Sequence, residues 1–367
     1  MTHKRSLYII SCMIASMIFT NCSDKVDNSE NIVINLNEID TTSVINHGCP
    51  DIQFIPLENK RECMLSDVPA LKATENGIYI YNSSPEPQVF LFGNDGQLLH
   101  QVGRLGHGRG EYQFIQDMSS NRKGDSVLVM TFDDYMLYDA NGKYVSSSEI
   151  KENVRLENVE ITSNGIASSR NYRGDEWQVV FLDKDFNHVS NAVSVNPACV
   201  VKNPPFVFNA LQSCGTGLCY LDQYESVFYI FDGNNSLRKS YTLVSDNMIT
   251  FDAKDDEKKD MVVYYVYTGE RIIGEIIYNN EWCYFEIDTE NDSFRFGGKE
   301  RPTFLSLDYY DGYYYAVVSA AQMMNLTNEK MGFMNPVYPS LDDIRRAFAP
   351  YKENLDENDN YFVVKYK

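Results

Sequence analysis

The strongest constraint on the fold is a hairpin unit that returns about every fifty residues. Each unit reads as a strand, then an acidic residue in a turn rich in asparagine, aspartate or glycine, then a strand of alternating polar and apolar residues. Such turns permit the positive φ angles that match the twist of a β-hairpin. Successive units are separated by 44, 44, 49 and 56 positions. The residues that mark them are Asp95, Asp139, Asp183, Asp232 and Asp288.

A repeat of this length holds several short strands, and one such sheet cannot bury both of its faces alone. Sheets of this kind become stable when they pack face to face around an axis. Dividing residues 50–367 among six units gives about 53 residues for each. The sequence therefore predicts an all-β fold, a six-bladed β-propeller, and a pair of β-sandwiches is the structural alternative.

The two ends of this domain favour a closed ring. Strands are predicted for "IQFIPLE" at residues 52–58 and for "NYFVVKYK" at residues 360–367. In a propeller, terminal strands can complete one blade together and remove an edge that would otherwise recruit another chain.

One segment departs from the all-β pattern. In "SLDDIRRAFAPY", Ser340 with Asp343 resembles a capping box, and Pro350 ends the run. We expect one short inserted helix here, near the C-terminus, preceded by a long loop through residues 323–339.

The first residues resemble a targeting segment. Lys4 and Arg5 precede an apolar run over residues 7–19, which is too short for a bilayer core of about 30 Å but typical of a signal peptide. Cys22 follows at the position where a lipoprotein signal carries its acylated cysteine. A lipid on Cys22 would make the membrane a partner, and a secreted chain without lipid is the alternative.

The sequence accordingly divides into three parts. Residues 1–21 are predicted to be the lipoprotein signal peptide, residues 22–48 the acylated cysteine with a polar tether and lead-in, and residues 49–367 the propeller. The expected location is the cell envelope, as an outer-membrane lipoprotein on either face of that membrane.

Charge restricts the partners. The chain has 32 Lys and Arg against 52 Asp and Glu, a formal net charge of −20. A field of this sign repels phosphate backbones, so we expect no nucleic-acid partner. It suits solubility, divalent cations or basic partners.

The cysteines outside the signal peptide and Cys22 have no spacing typical of a disulfide framework or of a C-x-x-C metal site. Cys214 and Cys219 in "CGTGLC" could face each other across a hairpin turn, but small buried thiols are the favoured interpretation for most of the six cysteines, whose pairing the sequence leaves open. They are Cys49, Cys63, Cys199, Cys214, Cys219 and Cys283.

The glycine-rich stretch "GRLGHGRGEYQF", residues 103–114, is the most conspicuous candidate loop. It lacks G-K-[ST], lacks the G-x-G-x-x-G register and precedes a strand, so it is not a phosphate loop. Its glycines permit backbone angles that other residues disfavour where the chain crosses from one blade to the next. Glu111 and Tyr112 would stabilise this crossing by hydrogen bonding and packing. Arg104, His107 and Arg109 could instead hold an anionic group at a propeller face.

A second candidate segment is "SSRNYRGDEW", where arginine and aromatic side chains suit sugar or peptide recognition. Packing between blades is the alternative for these aromatics. The candidate ligand-binding residues of both segments are Arg104, His107, Arg109, Glu111, Tyr112, Arg170 and Tyr172.

Several of these motifs together carry a family resemblance. "IPLE", "LFGNDGQLLHQVGRLGHGRGEYQFIQDM", "LYDANGKYV" and the final "VVKYK" resemble the six-bladed β-propeller lipoproteins of Bacteroides and its relatives. Arg109 stands where that family usually has proline. The resemblance implies the fold and an envelope location, but the function of the family is mostly undefined.

No frame for a catalytic nucleophile and no metal motif is present, so we assign no catalytic or metal residues and expect no cofactor, although a divalent cation is compatible with the charge. The preferred hypothesis is a binding or scaffold module for a glycan, peptide or envelope protein. The alternative is a metal-dependent, lactonase-like hydrolase that uses the propeller channel. Its candidate metal ligands are Asp133 with Asp134 and Asn234 with Asn235, although both pairs lie near turns, where such residues have a local structural role.

Overall fold

The structure, a computed structural model, describes residues 29–39, 51–150, 156–170, 177–194, 209–248, 260–296, 301–302, 304–327 and 336–367. In these residues six sheets form a ring in which the first strand of each sheet lies beside the first strands of its two neighbours. The chain is a six-bladed β-propeller, as the repeat predicts.

The first two strands of the chain join blades that form much later in sequence. They are β1 (Glu30–Asn35) and β2 (Ile52–Pro56). Blades one to three are four-stranded antiparallel sheets in chain order. Their strands are β3 (Ala70–Thr74), β4 (Gly77–Asn82), β5 (Gln88–Phe92), β6 (Leu98–Val102), β7 (Asp117–Ser120), β8 (Ser126–Met130), β9 (Asp134–Asp139), β10 (Tyr144–Glu149), β11 (Leu156–Thr162), β12 (Gly165–Arg170), β13 (Trp177–Leu182) and β14 (His188–Ser194).

Blades four to six contain the remaining strands except β23 and β26, which pair in parallel as a two-stranded ribbon whose β23 contacts β21 of blade five. These strands are β15 (Leu211–Cys214), β16 (Gly217–Asp222), β17 (Val227–Phe231), β18 (Leu237–Val244), β19 (Met261–Tyr267), β20 (Arg271–Tyr278), β21 (Glu281–Asp288), β22 (Ser293–Phe296), β23 (Arg301–Pro302), β24 (Ser306–Tyr310), β25 (Tyr313–Val318), β26 (Pro336–Tyr338) and β27 (Phe362–Tyr366).

The ring is closed by strands from the two ends of the described chain. Blade six has the order β24, β25, β27, β2, and β2 pairs antiparallel with β27. This confirms the predicted closure, which covers the outer edge of β27. From the predicted lead-in, β1 pairs parallel with β18 and gives blade four a fifth strand.

The five aspartates that mark the repeat all lie in the connection between the third and fourth strands of blades one to five. Four of them stand at the end of the third strand, whereas in blade one Gly93 has that place and Asp95 lies two residues further into the turn. In blade two, Asp139 Oδ1 accepts hydrogen bonds from the backbone N–H groups of Asn141 and Lys143, both at 2.9 Å. These backbone bonds hold the pKa of Asp139 below its usual value. In blade six the third and fourth strands are β27 and β2, which are far apart in sequence and are not joined by a turn, so this blade has no marker aspartate.

In the described residues between β25 and β27 there are two short α-helices, where the sequence predicts one. The predicted helix is α2 (Leu341–Phe348), and the Ser340 hydroxyl accepts from the Asp343 N–H at 3.2 Å. The second, α1 (Ala320–Thr327), extends into the segment predicted as a loop. Its buried residues Ala320, Met323 and Leu326 recur every third position, but over only two turns, and their burial in the cluster with blade six and α2 stabilises the helix. No helix in the described residues is long and apolar enough to cross a membrane.

The core is divided among the junctions of the blades. Five apolar clusters fill the junctions between blades one and two, two and three, three and four, four and five, and six and one. A sixth cluster joins blade six to the two helices instead of to blade five. In it the Phe54 and Phe348 rings meet edge to face, 5.0 Å apart. The helical insertion thus supplies the apolar layer that a neighbouring blade supplies elsewhere.

The ring has two distinct faces. We call the lower face the one that carries the turns between first and second and between third and fourth strands. The upper face carries the connections between blades, the turns between second and third strands, and the helical insertion.

Candidate functional site

The glycine-rich stretch connects β6 of blade one to β7 of blade two on the upper face. Glu111 organises it, since its carboxylate accepts from the Gly108 N–H at 2.8 Å and from Arg104 Nε at 2.6 Å. The bond from Gly108, then the bond from Arg104, hold the pKa of Glu111 below its usual value. Gly110 has φ of 73°, and a Cβ there would lie 2.5 Å from the Tyr144 side chain, so this position requires glycine.

The other candidates in the crossing differ in exposure. Tyr112 is buried and its hydroxyl donates to a backbone carbonyl of β6 at 2.9 Å, so it supports the crossing from within. Arg104, His107 and Arg109 are exposed, and the Arg109 guanidinium lies 5.4 Å from the centre of the Tyr144 ring. The crossing therefore gathers the three basic candidates on one exposed segment.

The remaining sequence candidates are separate from the crossing. Arg170 ends β12 at the upper face of blade three and is half-buried. Tyr172, Cys22 and the signal segment over residues 1–21 lie outside the described residues.

An exposed aromatic pair lies at the end of the crossing. Phe114 and Phe132, the latter in the turn between β8 and β9, stack with ring centres 4.3 Å apart and planes 5° from parallel. They are 43% and 54% exposed. Asp133 and Asp134 adjoin them, and burial followed by the charge of Asp133 raises the pKa of Asp134. Stacked rings edged by carboxylates suit a partner with apolar or cationic groups.

The axis of the ring contains a buried ion pair between Lys72 on β3 and Glu160 on β11. The pair joins blades one and three, which are not neighbours in the ring. Glu160 also accepts from Ser119 Oγ at 2.8 Å and from Ser213 Oγ at 3.0 Å. A carboxylate tolerates such burial when a cation and hydrogen-bond donors satisfy it, as they do here.

A second pair joins blades two and six nearer the lower face. Arg122 binds Asp308 in bidentate fashion, Nη1 to Oδ2 at 2.6 Å and Nη2 to Oδ1 at 2.9 Å. Its guanidinium also donates to the carbonyl oxygens of Ala73 at 3.2 Å and Ser213 at 2.8 Å. Burial opposes the charge of Arg122, but Asp308 holds the pKa of the guanidinium above its usual value. The Tyr310 ring lies 5.6 Å away.

Asp117, at the upper end of β7, is the axial carboxylate that forms no ion pair in the described residues. It accepts from the backbone N–H groups of Val159 at 2.9 Å and Met118 at 2.8 Å. Burial raises the pKa of Asp117 to about 7, with a further rise from Glu160 that these backbone bonds only partly oppose. Asp117 therefore changes charge near neutral pH.

The axial side chains also satisfy the inner edges of the sheets. Each first strand is an edge strand whose outer N–H and C=O groups need partners. Side chains of other blades provide these partners, so hydrogen bonds connect the inner strands of the blades along the axis. Examples are Val159 N to Asp117 at 2.9 Å, Ile161 N to Ser119 Oγ at 3.0 Å, Gln212 Nε2 to the Tyr265 carbonyl at 2.7 Å, and Ala73 N to Asp308 at 2.8 Å.

A metal centre on the axis requires several oxygen or nitrogen ligands that converge. In the described part of the chain no three His, Cys, Asp or Glu side chains are grouped to hold a metal ion. Glu160 and Asp308 are instead each bound by a cation. The pair Asp133 and Asp134 lies on the upper face, whereas Asn234 and Asn235 lie on the lower face, so these candidates do not form one site.

The possible pairing of Cys214 with Cys219 is wrong. The register of β15 and β16 places Cys214 opposite Gly217 and Cys219 opposite Gln212, and both thiols are free. Burial raises the pKa of the Cys214 thiol. Cys49 and Cys199 lie outside the described residues.

The lower face carries a cleft of about 490 Å³ between blades two and three. Its rim includes Lys123, from the turn between β7 and β8, and Lys184, from the turn between β13 and β14. Its apolar lining comes from Leu137, Ile161 and Ile166.

Sequence reasoning missed the axis and the cleft for different reasons. Lys72 and Glu160 stand alone among largely apolar strand residues, in "ALKAT" and "NVEIT", and a single charge in such a run is a signal of a buried partner. Lys123 and Lys184 lie in polar turns that look like any solvated turn. Only the arrangement of blades brings them to one cleft.

Six sheets around an ion-paired axis define the class of this molecule as a closed six-bladed β-propeller. The chain belongs to the family of the domain of unknown function DUF4934, whose model matches residues 31–367. Among curated proteins, none matches the sequence.

Two solved structures share the fold. A Bacteroides fragilis protein described as exported has a TM-score of 0.70 at 13% identity, with 92% of this chain and 99% of that chain covered. A member of the DUF4221 family from Bacteroides vulgatus has a TM-score of 0.51 at 10% identity, with 86% and 97% covered. At these identities the likeness concerns the fold alone.

Proposed function

We propose that this protein is a non-catalytic binding or scaffold module of the cell envelope. The observation that carries the proposal is the axis, which is crossed by the buried pair Lys72–Glu160 and by a second pair between the half-buried Arg122 and the buried Asp308. For either carboxylate to serve as a metal ligand or general base, its ion pair would have to be broken, which is costly for a buried charge. The two faces of the ring are therefore the surfaces left for function.

The upper face is the surface proposed for a glycan, peptide or envelope protein. Its stacked Phe114 and Phe132 rings are exposed, and so are the three basic side chains of the crossing on the same face. Aromatic rings and arginine are enriched among the residues that dominate recognition surfaces. The net charge of −20 makes nucleic acid an unsuitable partner.

The proposed location is the outer membrane, through an acyl group on Cys22. The signal-like residues 1–21 support it, as does the Bacteroides fragilis neighbour described as exported. The substitution Cys22→Ser should release the protein from membranes and abolish acyl labelling. Unchanged membrane retention would contradict the anchor.

The competing function, a metal-dependent hydrolase, gives the sharpest test. Crystals soaked with Mn²⁺ or Zn²⁺ should show no anomalous peak on the axis, and the metals should not stimulate hydrolysis of lactone or ester substrates. A metal held at Glu160 or Asp308 with an open coordination position would overturn the binding proposal. Loss of such hydrolysis in Asp308→Asn, compared with the exposed control Asp95→Asn, would then assign the activity to the axis.

A further inference from the structure

We propose that the cleft between blades two and three binds a hydroxylated organic anion, such as a sugar acid. The proposal rests on the proposed binding function and adds a ligand class on the face opposite the crossing. The cleft volume of about 490 Å³ lies within the range of about 300–1,000 Å³ typical of small-molecule sites.

Positive charge at the rim comes from Lys123 and Lys184. Both side chains are exposed and line the cleft, one from each blade. Within the ranges that the structure describes, neither forms an ion pair. Each ammonium group can therefore donate a charge-assisted hydrogen bond to an anion that enters the cleft.

The other charged side chains at or near the cleft form ion pairs or hydrogen bonds with other groups of the protein. Arg122 is held by Asp308 on the axis. Asp125, the carboxylate that lines the cleft, accepts a hydrogen bond from the Asn121 side chain. Asp183, next to Lys184, accepts two backbone N–H bonds within its own turn, at 2.9 Å and 2.8 Å. The two lysines are thus the cationic groups left for a ligand.

Two hydroxyl groups favour a ligand that donates hydrogen bonds. Thr162 Oγ1 donates to the Gly165 carbonyl at 3.3 Å, and Ser163 Oγ donates to the Gly233 carbonyl at 3.2 Å. Thr162 Oγ1 also accepts from the Asn164 N–H at 3.4 Å. Because the hydrogens of both hydroxyls are committed, the lone pairs that remain on their oxygens are the groups that can accept from ligand O–H groups.

The lining between the lysines and the hydroxyls is aliphatic. Leu137, Ile161 and Ile166 offer an apolar surface to the C–H face of a ring. Ammonium donors, hydroxyl acceptors and an aliphatic wall together fit a hydroxylated ring with an acidic group better than they fit inorganic phosphate.

The test is calorimetric titration of the full chain with four probes that separate charge from hydroxyl groups. D-glucuronate and D-glucose 6-sulfate should bind saturably, and their comparison distinguishes a carboxylate from a sulfate. D-glucose, which lacks the charge, and cyclohexanecarboxylate, which lacks the hydroxyl groups, should bind at least about tenfold more weakly. Lys123→Gln and Lys184→Gln should each weaken binding of the anionic sugars about tenfold. Lys143→Gln removes an exposed lysine from a lower-face turn outside the cleft and should leave Kd unchanged.

Absence of saturable binding of both anionic sugars overturns this inference, as does an unchanged Kd in the Lys123→Gln/Lys184→Gln double variant. A thermal melt of each variant shows whether it is folded. These results leave the proposed function intact, because that function fails on a different result, an axial metal with hydrolysis.

Discussion

The axis and the glycine-rich crossing each contain a carboxylate paired with a cation, but in opposite environments. At the axis the Lys72 and Glu160 side chains are 5% and 2% exposed, whereas in the crossing Arg104 and Glu111 are 77% and 18% exposed. Solvent and salt screen an exposed pair, which contributes about 0–1 kcal/mol. Removing one partner of a buried pair leaves a charge that water cannot reach. The segment most conspicuous in sequence is therefore expected to depend less on its charges than the inconspicuous axis does.

The largest expected effect follows from breaking the axial pair. Glu160→Ala should reduce the free energy of unfolding by about 3–5 kcal/mol, because Lys72 is then buried without a counter-charge and two hydroxyl groups lose their acceptor. Chemical denaturation at neutral pH measures the loss.

The matched control replaces both partners with apolar residues. Lys72→Met with Glu160→Leu should recover most of the stability, because no unpaired charge remains. A loss below about 1 kcal/mol in Glu160→Ala would mean that the axis is solvated like the crossing, and the contrast between them would disappear.

A smaller effect, confined to one pH range, is expected from Asp117. Its pKa of about 7 in the folded protein lies above the usual value near 3.9 for an unfolded chain. The folded state then binds the proton more tightly, so this stabilisation is full below pH 4 and is lost as the pH rises through 7. At about 1.4 kcal/mol per pKa unit, the loss is at most about 4 kcal/mol.

The measurement compares the pH dependence of unfolding in the native protein and in Asp117→Asn. The variant should lack the decline between pH 4 and 7, and any constant cost of the amide leaves this slope unaffected. Parallel pH profiles for the two proteins would show that the Asp117 carboxyl titrates normally and that the upper end of the axis is open to water.

The fold was predictable because its signal is local and repeated. Each marker aspartate accepts a backbone hydrogen bond within its own turn, and these turns recur at a spacing that favours a multi-bladed ring. The helix α1 was missed because its burial depends on blade six. The axis and cleft depend on contacts such as Arg122 with Asp308, 186 positions apart, and no local pattern encodes which strands the ring brings together.

The smallest expected effect concerns the crossing. Arg104→Ala should reduce the free energy of unfolding by less than about 1 kcal/mol, since its pair with Glu111 is mostly solvated. Gly110→Ala should cost more, because a Cβ at φ of 73° would meet Tyr144 at 2.5 Å. Thermal melts of the two variants rank backbone geometry against charge. If Arg104→Ala were the more damaging change, the crossing would be held by its charges as the axis is, and Arg104 would be less available to a ligand than its exposure indicates.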